Sequence, residues 1–216
     1  MPNGTESDED LLRRIRDDDE QALERLVRRY QRRLGEFARS ILRSRDLAEE
    51  AVANVFLNIW RRRERVAVKT TVRGYLYAAT GNQSLKLLKE RKRHATVWIN
   101  DVHARHLIDP RSTQSEINLR ELHDAIEILV ARMPPQRQLI FRLSRLEGLS
   151  YWEIAQSLQL SEHTVQNHMT QATRQLDADW PKMRGGLESI TAGESRPSPT
   201  AKRSRKPAHA LTKAAS

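Results

Sequence analysis

Residues Ser150 to Leu176 read SYWEIAQSLQLSEHTVQNHMTQATRQL, and this stretch decides the fold. Two helix starts follow in quick succession. Ser150 and Glu153 form an S-x-x-E capping box, in which the hydroxyl and the carboxylate each satisfy a free backbone N–H. Ser161 is a second N-cap ahead of another amphipathic run. Only a short turn around Gln159 and Leu160 separates the two. Ile154, Ala155, Leu158, Leu160, Val165, Met169, Ala172 and Leu176 are apolar at spacings that let two short helices share one small core. Ala155 is small where crossing helices need close approach. The pattern predicts a helix-turn-helix, whose second helix lies in the major groove of DNA. One position departs from the usual pattern. The turn residue is Gln159 instead of glycine, and a positive φ there costs on the order of 1 kcal/mol.

The second helix leaves Glu162, His163, Gln166, Asn167, Thr170, Gln171 and Arg174 on its outside. Asn and Gln can pair bidentately with adenine in the major groove. His163 and His168 lie on the same helix, where contact with phosphates or bases fits better than catalysis. The plain alternative is a solvated face of an ordinary helical bundle.

The 216-residue chain carries a net charge of +10, and its aromatic content is 5%. The charge favours a polyanionic partner, nucleic acid first and an acidic membrane surface second. Few aromatics imply small aliphatic cores. The absence of cysteine excludes disulfides, thiolate chemistry and zinc–cysteine sites. No apolar run approaches the ~18 residues of a membrane span. The N-terminus, MPNGTESDEDLL, is acidic and polar, unlike a secretory signal. A cytoplasmic protein with no membrane insertion is expected.

Strand signals are almost absent, so the expected class is all-α. Ser7 suits the cap of a first helix carrying Leu11, Leu12 and Ile15. The acidic cluster Asp17 to Glu20 opens a second helix, with Leu26, Tyr30, Leu34, Phe37 and Ile41 on one face and Arg28, Arg29, Arg32, Arg33 and Arg39 on the other. Asp46 and Glu49 suit the capping roles of a third, with Val52, Val55, Phe56, Ile59 and Trp60 inside. A fourth runs from about Val72 to a basic end, Lys89-Glu90-Arg91-Lys92-Arg93. Periodicity fails from His94 to Gln114, which reads as a linker. It resumes with Leu119, Leu122, Ile126, Leu129, Val130 and Met133. Pro134-Pro135 stops that helix and starts the next, which ends at Gly148.

Two small helical domains are therefore expected, 8–93 and 115–184, joined by a flexible linker at 94–114. The second is a helix-turn-helix, winged-helix-like, domain. Residues 185–216 are rich in Ser, Ala, Pro, Lys and Arg and read as a disordered basic tail. Its Lys202, Arg203, Arg205 and Lys206 can add nonspecific phosphate contacts.

His94, His103 and His106, with Asp101 and Asp109 nearby, fall in the weakly patterned linker and do not make a convincing metal site. Neither a phosphate-binding loop nor a nucleophile elbow occurs. An enzyme is not expected, and neither is a cofactor.

Three further stretches carry a family resemblance. DLAEEAVANVFLNIWRRR, Asp46 to Arg63, resembles the segment of sigma-70 factors that docks on the beta-prime clamp helices of RNA polymerase. YLYAATGNQSLKLLKERKR, Tyr75 to Arg93, resembles the segment that melts and reads the minus-ten element. MPPQRQLIFRLSRLEGLSYWEIAQSLQLSEHTVQNHM, Met133 to Met169, resembles the domain that reads the minus-thirty-five element. Size and layout resemble the short extracytoplasmic-function (ECF) group. The resemblance implies a sigma factor that binds core polymerase, directs promoter recognition and melting, and initiates transcription of a regulon.

It implies core binding through Asn54, Leu57, Asn58 and Arg61. It implies minus-ten contacts from Tyr77, Asn82, Lys86, Lys89, Arg91 and Arg93. It implies minus-thirty-five contacts from His163, Gln166, Asn167, His168, Thr170, Gln171 and Arg174. The implied partners are core RNA polymerase, through its beta-prime clamp helices and beta flap, and promoter DNA. An anti-sigma factor is a further partner the family admits. The chain departs from the family at Ala53 and Asn54, where Gln and an acid are common, at Lys86, and at Gln166 and Gln171, where Arg is frequent. Chemically, Asn82 suits an unstacked base edge, Tyr77 a stacking surface, and the basic helix end the phosphates. The alternative is a helix-turn-helix regulator that acts without replacing the sigma subunit. A nucleic-acid enzyme such as a recombinase is a weaker one.

Overall fold

The computed structural model describes residues 6–94 and 114–193. Residues 95–113 of the expected linker, with His103 and His106, and the tail beyond Gly193 lie outside the described residues, while His94 and Gln114 fall within helices. Every regular element within the described residues is helical, and those up to Trp180 form one compact unit.

Helix α1 (Asp8–Arg16) begins where the Ser7 hydroxyl accepts from the Asp10 N–H. Helix α2 (Glu20–Leu42) is capped by Asp19, whose carboxylate accepts from Ala22 N. Helix α3 (Arg45–Arg61) is capped by Ser44, not by the expected Asp46 or Glu49. A cap needs an extended backbone outside the helix. Asp46 is already helical, and Glu49 pairs with Arg45 at i, i−4. Helix α4 (Val72–His94) starts where Thr71 Oγ1 accepts from Gly74 N.

These helices bury the stripes their sequences predict. Leu11, Ile15, Leu26, Leu34, Ile59 and Leu76 are wholly enclosed. Each such side chain contributes about 1.5–3 kcal/mol of burial. Acidic residues of the N-terminal segment tie down arginines of α1 and α2 that would otherwise be free cations. Glu6 pairs with Arg14 and Arg25, and Asp8 with Arg29.

Helix α5 (Gln114–Ala131) buries Ala125, Leu129 and Val130 but leaves Leu122 and Ile126 of the same apolar repeat exposed. Helix α6 (Pro135–Arg145) has Pro at its first position. Gly148, at φ +67°, lets the chain turn after it. Helices α7 (Tyr151–Leu158) and α8 (Glu162–Gly193) are the helix-turn-helix. Among the described residues no strand accompanies them, so the pair carries no wing there. Helix α8 continues through Pro181 to Gly193, so 185–193 are helical where disorder is expected. Extending an existing helix avoids the cost of nucleation, which composition alone does not register.

Helix α4 is shared between the two groups of helices. It packs against α2 and α3 on one side and against α6 and α7 on the other. Gly81 makes the second contact possible: a Cβ there would overlap Leu139 Cδ1. Arg73 donates to the Glu147 carbonyl at 2.5 Å, and Thr70 meets Ser157 at 3.4 Å.

Candidate nucleic-acid interface

Helix α7 and its partner are set by their caps. The capping box at Ser150 and Glu153 is complete: Glu153 N donates to Ser150 Oγ at 3.2 Å and Ser150 N to Glu153 Oε2 at 2.9 Å. Gln159 takes the left-handed conformation at φ 57°, where Gly is usual. Ser161 Oγ then accepts from Thr164 N at 3.0 Å and starts α8. Val165, Met169 and Ala172 face inward and are almost wholly buried. His163, Gln166, Asn167, Thr170, Gln171 and Arg174 are exposed. Their i, i+3, i+4, i+7 spacing makes one continuous outward face. The N-terminal end of α8 adds the positive end of its helix dipole, which favours phosphate.

His168 sits apart from that face. It is half-buried, and its Nδ1 is enclosed with no hydrogen-bond partner. Burial first, and then the charge of Arg137, hold its pKa below the usual histidine value. It therefore brings no phosphate-binding charge at neutral pH.

On α4, Asn82, Lys86, Lys89 and Arg93 are exposed. At about 100° per residue they line one side of the helix, and Arg91 lies on the other. Lys86 is 3.9 Å from Glu90. Tyr77 presents no free ring. It is 3% exposed and stacks edge-on against Phe37 with centroids 5.2 Å apart. Burial, reinforced by the Glu147 carboxylate that accepts its hydroxyl, pushes its pKa up to about 12. In this conformation the Tyr77 ring cannot stack on a base.

On α3, Asn54, Leu57, Asn58 and Arg61 follow one another along one side. Leu57 is 43% exposed, an apolar side chain held in water. Phe56 is buried in the core, and half-buried Trp60 lies under the Arg63 guanidinium at 4.7 Å.

One contributor has no signal in the sequence. Arg137, in the first turn of α6, donates to Gln171 and, at 3.1 Å, to Gln175 of α8. Its position in the sequence says nothing of which side chains it meets. Among the described residues, no cluster of His, Asp or Glu could hold a metal ion.

Residues 26–94 match Sigma-70 region 2, and residues 123–176 match Sigma-70, region 4. The chain belongs to the sigma-70 family. It is a sigma factor of the ECF group: it has no catalysis of its own and directs the initiation of transcription by RNA polymerase at promoter DNA. The ECF RNA polymerase sigma factor SigM of Mycobacterium tuberculosis is 25% identical over 170 residues, covering 79% of this chain and 83% of SigM. Two solved structures share the fold at 17% identity. CnrH, in complex with the cytosolic domain of CnrY, has a TM-score of 0.57 and covers 80% of this sigma factor and 96% of that chain. RpoE of Bartonella quintana, in complex with the anti-sigma factor NepR, has a TM-score of 0.55 and covers 72% and 94%. The region 2 match over α2 to α4 sets aside a regulator that merely carries a helix-turn-helix.

Proposed function

We propose that three exposed helix faces divide the work of this sigma factor. The face of α3 around Leu57 docks on the clamp helices of core polymerase. Asn54, Asn58 and Arg61 supply the polar rim around that apolar contact. The face of α8 reads the minus-thirty-five element, with Asn167, Thr170 and Gln171 at base edges and Arg174 and His163 toward phosphates. The face of α4 holds the opened minus-ten strand, with Asn82 at a base and Lys86, Lys89 and Arg93 along the backbone. Residues 8–93 and 115–184 are the two functional domains.

The observation that supports this reading best is the outward side of α8. It is polar, exposed and unbroken, and it is backed by a core of Val165, Met169 and Ala172 that fixes its direction. An anti-sigma factor belongs among the partners, since the solved RpoE was captured with one. No described helix is long and apolar enough to cross a membrane. Action on RNA polymerase supports a cytoplasmic location.

Run-off transcription tests the reading. Purified core polymerase is assayed with and without this sigma factor on a pool of genomic fragments. Discrete transcripts that require the chain are expected. Core that initiates identically with and without it would overturn the proposal.

A further inference from the structure

The Arg137 contacts bear on which base the α8 face selects. Gln171 lies on the exposed DNA-facing side, and Gln175 is one turn further on and half-buried. Both side chains turn an amide toward the same guanidinium. Arginine has five donors and no acceptor. The amide atom facing it must therefore be the carbonyl oxygen in each case. An amide on a solvated helix could rotate freely between its donor and acceptor edges. This one is held by a charge-assisted bond, the stronger kind. Arg137 is itself held in place: it is half-buried, its two terminal nitrogens go to two different glutamines, and its Nε is enclosed by protein.

We propose that Arg137 is a specificity-determining positioning residue, which holds the Gln171 amide with its oxygen inward so that Gln171 meets DNA as a hydrogen-bond donor. This rests on the reading of α8 as the minus-thirty-five helix and deepens it. A free glutamine pairs with adenine by offering oxygen and nitrogen side by side to N6 and N7. Gln171, held by Arg137, leads with its NH2. The base edges that suit a donor are guanine, with O6 and N7, and thymine, with O4. Adenine can still accept at N7, but its N6 amino group finds no acceptor on Gln171, so the bidentate pairing that favours adenine is lost. Arg137 acts here without touching the base.

The test uses full-length protein reconstituted with core polymerase and a template library randomised across both promoter elements, with transcripts counted by barcode. In the wild type, one base position is expected to prefer guanine or thymine over adenine. Gln171→Ala identifies it, because that preference alone disappears. Arg137→Met keeps the aliphatic stem and removes the donors. It is expected to raise adenine at that same position by about five- to tenfold relative to guanine, and to have no effect on base preference in the Gln171→Ala background. Arg137→Lys, which keeps charge and stem but cannot span both amides, is expected to shift preference in the same direction by less. It is the variant to read if Arg137→Met does not fold.

An active Arg137 variant with unchanged preference at that position overturns the proposal. So does a uniform loss on all templates with a shallower salt dependence, which would make Arg137 a phosphate contact. A wild-type chain that drives no transcription from any template overturns the minus-thirty-five reading itself, and this proposal with it.

Discussion

Gln159 holds a left-handed backbone, φ 57° and ψ 42°, at the turn between α7 and α8. A side chain there strains the backbone by about 1–2 kcal/mol, and glycine would lose about 0.5–1 kcal/mol more chain entropy on folding. Gln159→Gly is therefore expected to stabilise the protein by roughly 0.5–1 kcal/mol, read as a higher denaturation midpoint. A lower midpoint would show that Gln159 makes a contact worth more than its strain. Arg142 presents the opposite case, a charge with no exposure at all. Its guanidinium makes a bidentate pair with Glu127, at 2.7 and 2.8 Å, and Arg43 approaches the same carboxylate at 3.6 Å. Removing one partner of a buried pair costs far more than replacing it by apolar volume. Glu127→Ala is expected to destabilise by about 3 kcal/mol, whereas replacing both partners together, Glu127→Leu with Arg142→Leu, is expected to be neutral or stabilising by about 1 kcal/mol. Equal losses in urea unfolding of the two variants would show that the pair itself, and not the desolvated charge, sets the energy.

At the scale of the element, the recognition helix and the clamp-facing helix make separable predictions. Asn167 is exposed in the middle of the α8 face. If it makes a bidentate base contact, Asn167→Ala costs holoenzyme about 1–3 kcal/mol on its preferred promoter and little on random DNA. Competition binding checks this. An equal loss on both would move Asn167 to the phosphate backbone. On α3, Asn54→Lys, Asn58→Glu and Arg61→Glu change only side chains outside the core. The triple variant is expected to bind core polymerase at least tenfold more weakly with its helical circular dichroism intact. Wild-type co-purification would assign docking to another face.

Across the whole molecule, α4 joins the two groups of helices, and Glu147 sits at that junction. Burial raises its pKa above the usual carboxylate value, more than Tyr77 and Arg73 lower it. The folded state thus holds the proton more tightly than the unfolded one. The ionised carboxylate costs stability above the folded pKa, and that cost fades as pH falls through it. Glu147→Gln keeps a hydrogen-bonding group for Tyr77 and removes the charge. A higher thermal midpoint than wild type is expected at pH 7.5, with the difference closing near pH 4. A variant less stable than wild type at pH 7.5 would show that the pairing with Arg73 outweighs the burial cost. Close packing at this junction depends on Gly81, since a side chain there would overlap Leu139.

The order of the helices, most of their buried stripes (Leu146, expected inside with Leu139, Ile140 and Leu143, is exposed), the caps at Ser7, Ser150 and Ser161, and the outward face of α8 were legible in the sequence. Each depends on residues within a turn or two of one another, where 3.6-residue periodicity and local hydrogen bonding decide the outcome. The exposed run on α3 and the run of Asn82, Lys86, Lys89 and Arg93 on α4 follow from the same geometry. Only the tertiary structure placed Tyr77 against Phe37 and Glu147, turned Leu122 and Ile126 outward, and tied Gln171 to Arg137. Each of these depends on which helix arrives beside which. Tyr77 is 70 residues from Glu147, and Arg137 is 34 from Gln171. No local pattern encodes such pairings, because they are selected by packing of the assembled core and by the need of buried polar groups for partners.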